Sequence, residues 1–288
     1  MESFEHIGAT SDILGEGPVW DPAGQALWWV DIRAPAVRRY DWRGAQTQTF
    51  TMPEMVGSLA LDRNGSLLLA LQSALARWDP VTGKLEKLAA PEAHRPTQRF
   101  NDGKCDRQGR FYVGTMNDTA REPDGTLYRF DGRDCVAVRS GITIPNSLAW
   151  SQDGRTMTFA DSWTREIGVF DYDPASGAMG ARRTLATIAP PAIPDGATFD
   201  AEGYLWCALY DGWTLARFAP DGRCDRTLAL PVQRPTSCQF GGPNLDVLFV
   251  TTASQRLTAE ERAKQPLAGA LLAYDVGVRG VPEPRFAG

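Results

Sequence analysis

Glu16, Asn101, Asn146 and Asp195 are the residues of this chain whose types and spacing could do chemistry. Each stands eight residues before the turn of a repeated phrase: a polar opening, a short apolar run, a tight turn and a second apolar run. The phrase is fullest over residues 194–209. Its turn residues are Gly24, Gly65, Gly109, Gly154, Gly203 and Asn244, at intervals of 41, 44, 45, 49 and 41 residues. The same offset gives Gly57 and Thr236 in the two remaining copies. If equivalent positions converge, two carboxylates, two carboxamides and a hydroxyl form an oxygen-lined, acidic ring. Glu16 and Asp195 would repel one another there unless one took up a proton. A divalent cation removes that conflict, with Asn146 adding a neutral oxygen. Such a donor set favours Ca²⁺, Mg²⁺ or Mn²⁺, and Zn²⁺ and Fe²⁺ also accept it. Three protein ligands leave positions open for water and substrate. Arg99, two residues before Asn101, would offset the acidic ring if it pointed inward and would bind substrate oxygens.

Each of these residues also has a plain structural reading. Asp195-Gly196 could be a simple turn, as Asp124-Gly125, Asp131-Gly132, Asp211-Gly212 and Asp221-Gly222 are read here. Glu16 could be a solvated loop acid, Asn146 a turn former after Pro145, and Arg99 an exposed cation. The shared phase is what separates the ring positions from the other Asp-Gly pairs. Histidine chemistry has little support: His6 and His94 are the only two, neither near a nucleophile motif. No Cys-x-x-Cys or His-x-x-x-His zinc pattern occurs.

The elements that would position the ring follow from the period. Six copies at 41–49 residues mark a radial array of small sheets. A second hairpin follows each phrase, over 37–50, 75–88, 127–138, 167–185, 215–230 and from Leu271 onward. Two hairpins per repeat make a four-stranded antiparallel blade. The expected fold is all-β: one six-bladed β-propeller domain over 1–288, closed by pairing of N- and C-terminal strands, with Phe4 to Thr10 entering the last blade. Thr258-Ala259-Glu260-Glu261 reads as a capping box that starts a short helix, stopped by Pro266. Three insertions, 89–99, 117–124 and 253–267, are expected on the same mouth as the ring.

Composition narrows the partners. A net charge of −5 leaves no basic footprint for nucleic acid or anionic membranes. The opening Met1-Glu2-Ser3-Phe4-Glu5-His6 lacks signal-peptide features. Five scattered cysteines suit a reduced, cytoplasmic protein, expected as a monomer or dimer.

These phrases together resemble the gluconolactonase, regucalcin (senescence marker protein) and luciferin-regenerating enzyme family. The matching residues are Leu14-Gly15-Glu16-Gly17-Pro18-Val19-Trp20, Arg99-Phe100-Asn101-Asp102-Gly103-Lys104, Gly114-Thr115-Met116, Pro145-Asn146-Ser147-Leu148-Ala149-Trp150, and Pro194-Asp195-Gly196 with Glu202-Gly203-Tyr204-Leu205-Trp206. They span essentially the whole chain. Phe249-Val250-Thr251-Thr252-Ala253 and Pro266-Leu267-Ala268-Gly269 are most similar to bacterial aldonolactonases of the xylonolactonase type. The resemblance implies a propeller that hydrolyses sugar lactones with one divalent metal cation. It implies Glu16, Asn146 and Asp195 as metal ligands, and Arg99 with Asn101 at the substrate. Asp195 is then the expected general base. Animal members carry an acid shortly after Gly-Thr-Met, where this chain has Asn117-Asp118-Thr119. Two other readings stay open: a calcium-binding regulatory propeller without turnover, and a metal-dependent esterase or organophosphatase, which would need an apolar pocket.

Overall fold

The computed structural model describes residues 4–8 and 10–288, which form six four-stranded antiparallel sheets. The first strand, β1 (Phe4–Ile7), belongs to the last sheet. Blade 1 is β2 (Gly15–Asp21), β3 (Ala26–Asp31), β4 (Ala36–Asp41) and β5 (Gln46–Thr51). Blade 2 is β6 (Val56–Leu61), β7 (Leu67–Leu71), β8 (Leu75–Trp78) and β9 (Leu85–Ala89). Blade 3 is β10 (Gln98–Cys105), β11 (Phe111–Asn117), β12 (Gly125–Phe130) and β13 (Cys135–Ile142). Blade 4 is β14 (Pro145–Trp150), β15 (Thr156–Asp161), β16 (Glu166–Asp173) and β17 (Ala178–Thr187). Blade 5 is β18 (Ile193–Phe199), β19 (Leu205–Tyr210), β20 (Thr214–Phe218) and β21 (Cys224–Ala229). Blade 6 is β22 (Pro235–Gly241), β23 (Val247–Thr252) and β24 (Leu271–Asp275), completed by β1.

The repeat explains the core. Each blade is apolar on both faces and buries them only against its neighbours. Six apolar clusters accordingly lie at the six blade junctions: Trp28 and Trp78 between blades 1 and 2, Tyr112 and Trp150 between 3 and 4, Trp20 and Phe249 between 6 and 1. Burial falls from axis to rim: β14 is buried throughout, whereas β5 alternates exposed and half-buried residues. The ring is closed by β1 against β24, with Phe4 opposite Tyr274 and Ile7 opposite Leu271. The expected closure therefore holds. The short helix is also present: α1 (Ala259–Lys264) has Thr258 as its cap, with Thr258 and Glu261 bonded reciprocally. No helix among the described residues is long and apolar enough to cross a membrane.

The expected hairpin from Leu271 onward is not formed. The outer partner of β24 is β1, so residues 276–288 are released to cross the end of the channel opposite the mouth. Their backbone bonds to the first-hairpin turns of four blades: Ala201 N–H to Arg279 O at 2.8 Å, Gly280 N–H to Leu245 O at 2.8 Å, Phe286 N–H to Leu61 O at 2.7 Å and Ala287 N–H to Gly109 O at 2.9 Å. Phe286 is fully buried and stacks on Phe130, with ring centroids 5.5 Å apart. Glu283 reaches Lys104 at 3.3 Å, and Lys104 also donates to Ala197 O at 2.9 Å. This segment is thus part of the core. Phe286→Ala should cost about 3–5 kcal/mol in a denaturant titration, and a loss below about 1 kcal/mol would contradict that placement.

Candidate functional site

The inner strand of every blade carries a register shift at or beside its ring position. The shifts fall between Glu16 and Val19, Val56 and Ser58, Phe100 and Gly103, Asn146 and Ala149, Pro194 and Ala197, and Pro235 and Ser237. A bulge turns a side chain out of the sheet's ordinary alternation, and here one lies at or beside each of the six equivalent positions. Four of them, Glu16, Asn101, Asn146 and Asp195, line one cavity of about 150 Å³, a size of the order that accepts a six-membered ring. Gly57 is excluded by packing, because a β-carbon there would stand 2.3 Å from Phe100 O on the next blade. Thr236 turns away and donates to Gly15 O at 2.5 Å, fixing the backbone beside Glu16.

Glu16 and Asp195 are both buried and interact with one another across the channel. Burial is the main force raising both carboxyls above their usual range. Their mutual charge and that of Asp102 add to it at Asp195, and Asp102 adds to it at Glu16. Gly17 N–H donates to Glu16 Oε2 at 3.0 Å, and Ser147 Oγ–H holds the Asp195 backbone carbonyl at 2.5 Å.

Asn146 is held at both ends of its amide. Its Nδ2 donates to Ser162 Oγ at 2.8 Å, whose own proton goes to Pro194 O at 2.6 Å. That directs Oδ1 toward Asn101 Nδ2, 3.0 Å away. Asn101 also donates to Pro145 O at 2.9 Å and accepts from Arg99 Nη1 at 2.7 Å. Arg99 points inward and is buried, and its Nε donates to Asp118 Oδ1 at 2.6 Å. Asp118 takes two further bonds from Arg33, at 2.7 and 2.6 Å. Partial burial pushes the Asp118 carboxyl up, but the Arg33 and Arg99 guanidiniums outweigh it and hold it down at about 2.

All five residues expected at the site are therefore brought together. Asp118, Arg33, Ser162, Arg121, Tyr210 and Arg256 complete its surroundings and were not among them. Most come from the turns joining the second and third strands of their blades, where the inner phrase does not repeat. The expected insertions contribute unequally. Residues 117–121 and 255–256 line the cavity. The 89–99 stretch supplies only Arg99 directly and otherwise braces the neighbouring loop, with Arg95 on Asp124 at 2.7 Å and Gln98 on Asp124 at 3.0 Å. His6 and His94 are exposed and lie outside the lining. All five cysteines are free, and burial pushes the Cys207 thiol, behind Asp195, up to about 12.

No described cluster of three His, Cys, Asp or Glu side chains could hold a metal. A site here would use two acids and an amide oxygen, and the chemistry of this set fits a hard cation. Arg99 acts favourably on Glu16 but is itself paired with Asp118, so the two buried carboxyls are incompletely compensated.

The profile described as SMP-30/Gluconolactonase/LRE-like region matches residues 14–254. Regucalcin of Gallus gallus is 35% identical over 99% of this chain and 98% of its own length. The 6-deoxy-6-sulfogluconolactonase of Pseudomonas putida is 34% identical over 100% of this chain and 99% of its own. Among solved structures, a calcium-binding regucalcin from Agrobacterium tumefaciens superposes with a TM-score of 0.96 at 27% identity, covering 99% of this chain and 97% of that one. The chain belongs to the SMP-30/gluconolactonase/LRE-like family.

Proposed function

We propose that this protein hydrolyses a polyhydroxylated sugar lactone to the aldonic acid, with Glu16, Asn146 and Asp195 holding one divalent cation. The observation that carries the reading is the buried Glu16–Asp195 pair, two like charges brought together from blades 1 and 5. Ca²⁺, Mg²⁺, Mn²⁺, Zn²⁺ and Fe²⁺ all accept such oxygen donors. When bound, the cation supplies Lewis-acid polarisation of the lactone carbonyl and cancels the charge of the pair.

The chain's own residues supply the rest. Asp195 is the base: a carboxylate oxygen takes the proton of the attacking water as the water oxygen bonds to the carbonyl carbon. The ring C–O bond then breaks, and the proton passes from Asp195 to the departing alkoxide. Water is consumed and an aldonic acid is left, which ionises to the aldonate and releases one proton. Arg99 and Asn101 bind sugar hydroxyls and align the carbonyl, a function served by their rigidity: Asp118 fixes the guanidinium and Pro145 O the amide. No histidine is required.

The relatives support this reading. The Pseudomonas protein bears the name of a lactonase for a sulfonated gluconolactone, and the Agrobacterium structure is described as calcium-binding. That second description favours the regulatory alternative, in which the cation binds without turnover. The charged lining, with Glu16, Asp195, Asp118 and four arginines, suits a polar sugar better than an aromatic ester.

Two measurements test the proposal. Proton release from a panel of pentono- and hexonolactones should vanish on chelation and return with a divalent cation. Full turnover by rigorously metal-free protein would sink the metal role, and turnover of none of the panel by cation-loaded protein would leave the regulatory reading. Asp195→Ala should lower kcat by at least about 10³-fold, in the upper part of the usual general-base range because a ligand goes as well. Its melting temperature in chelator should not fall below that of the wild type, since the burial cost of the Asp195 carboxyl and its unfavourable interaction with Glu16 go with it. An unfolded variant under those conditions would make Asp195 a structural turn residue.

A further inference from the structure

Four arginines line the cavity: Arg33, Arg99, Arg121 and Arg256. The first two share Asp118. Arg121 and Arg256 have no carboxylate partner among the described residues. Both line the same cavity, and after burial the charge of Arg256 is the main force lowering the pKa of Arg121. Arg121 is held instead by an aromatic face, its guanidinium carbon 5.2 Å above the ring of Trp163. That support leaves the guanidinium N–H edge without an anion.

Arg256 is placed at some conformational cost. Its φ of 59° lies in the left-handed region, where a β-carbon is disfavoured and glycine is the ordinary occupant. The loop around it is pinned, because Arg234 donates to Gln255 O and Gln255 Nε2 to Tyr210 Oη at 3.3 Å. Two exposed guanidiniums with no carboxylate partner among the described residues thus line the cavity that Glu16 and Asp195 also line. An oxyanion between them would relieve their repulsion and accept charge-assisted bonds from both.

We propose that Arg121 and Arg256 form an anion subsite that binds a negatively charged group at the end of the substrate remote from its lactone carbonyl. The group is a carboxylate, a sulfonate or a phosphate, and the physiological lactone is accordingly an acidic one. The identity of the remainder of the substrate rests on the lactonase reading; the subsite itself rests on the rim.

Calorimetric titration of the cation-loaded protein with aldonates tests this. Gluconate serves as the neutral-tailed ligand; glucarate, 6-deoxy-6-sulfogluconate and 6-phosphogluconate distinguish the three anions. At least one charged-tail ligand should bind about tenfold or more tightly than gluconate, an advantage that shrinks with added salt. In the Arg121→Gln, Arg256→Gly double variant the ratio should fall below about twofold, and glycine at 256 relaxes the backbone rather than straining it. Arg256→Gly alone, with its melt compared to wild type, gives the same reading if the double variant is unstable. Equal binding of gluconate and all three charged ligands, or an advantage that survives both substitutions, overturns the subsite. Turnover of neutral gluconolactone is followed in parallel. Turnover without a tail preference removes the subsite and leaves the lactonase; a tail preference without turnover of any lactone does the reverse.

Discussion

The site depends on keeping two carboxylates, Glu16 and Asp195, together and out of water. Desolvation disfavours each ionised form, and proximity penalises ionising both. The protein can meet that cost with a shared proton or with a cation. Much of the nearby structure serves to prevent the third solution, which is for the side chains to swing apart. Thr236 fixes the carbonyl of Gly15, Ser147 that of Asp195, and Ser162 joins Asn146 to Pro194. These bonds cross blade boundaries, so the pair is positioned by closure of the whole ring rather than by a single blade. Closure in turn relies on β1 pairing with β24 and on residues 276–288 binding together the far ends of several blades.

Charge is arranged in two tiers above that closure. The floor is acidic and built on inner strands, whose bulged register allows little movement. The rim is basic and built on turns, which carry Arg33, Arg121 and Arg256. Asp118 joins the tiers, since its carboxylate is shared by Arg33 on the rim and Arg99 below. In the proposed reading, the reacting group of a ligand is met by residues of the inner strands and its remote end by residues of the turns.

The floor was legible in the sequence because it repeats. A fixed offset from the turn located Glu16, Asn101, Asn146 and Asp195, and the same offset found Gly57 and Thr236, which packing excludes from the cavity. The marker even survives local drift: in blades 2 to 5 the left-handed turn residue is the glycine itself, whereas in blades 1 and 6 it is the next residue, Gln25 or Leu245. The rim was not legible. Its turns vary in length and share no phrase, so nothing in sequence sets Arg33 against Asp118, 85 positions away. Residues 276–288 were misassigned for a related reason. Strand-like apolar residues such as Val281 and Phe286 look alike in sequence whether they extend a sheet or cap one, and only the prior claim of β1 on the edge of β24 decides it.

In the proposed metal site the Glu16–Asp195 pair exchanges a proton for a cation. Calorimetric titration of chelator-stripped protein with a divalent cation, in buffers of different ionisation enthalpy, counts the protons exchanged. The raised carboxyls hold protons at a pH where free carboxyls, near 4, have lost them. Binding should therefore release about one proton or more per chain near neutral pH, in a one-to-one complex, and the release should diminish as the pH rises through the raised pKa values. Cation binding with no proton release, or no binding at all, would contradict the account.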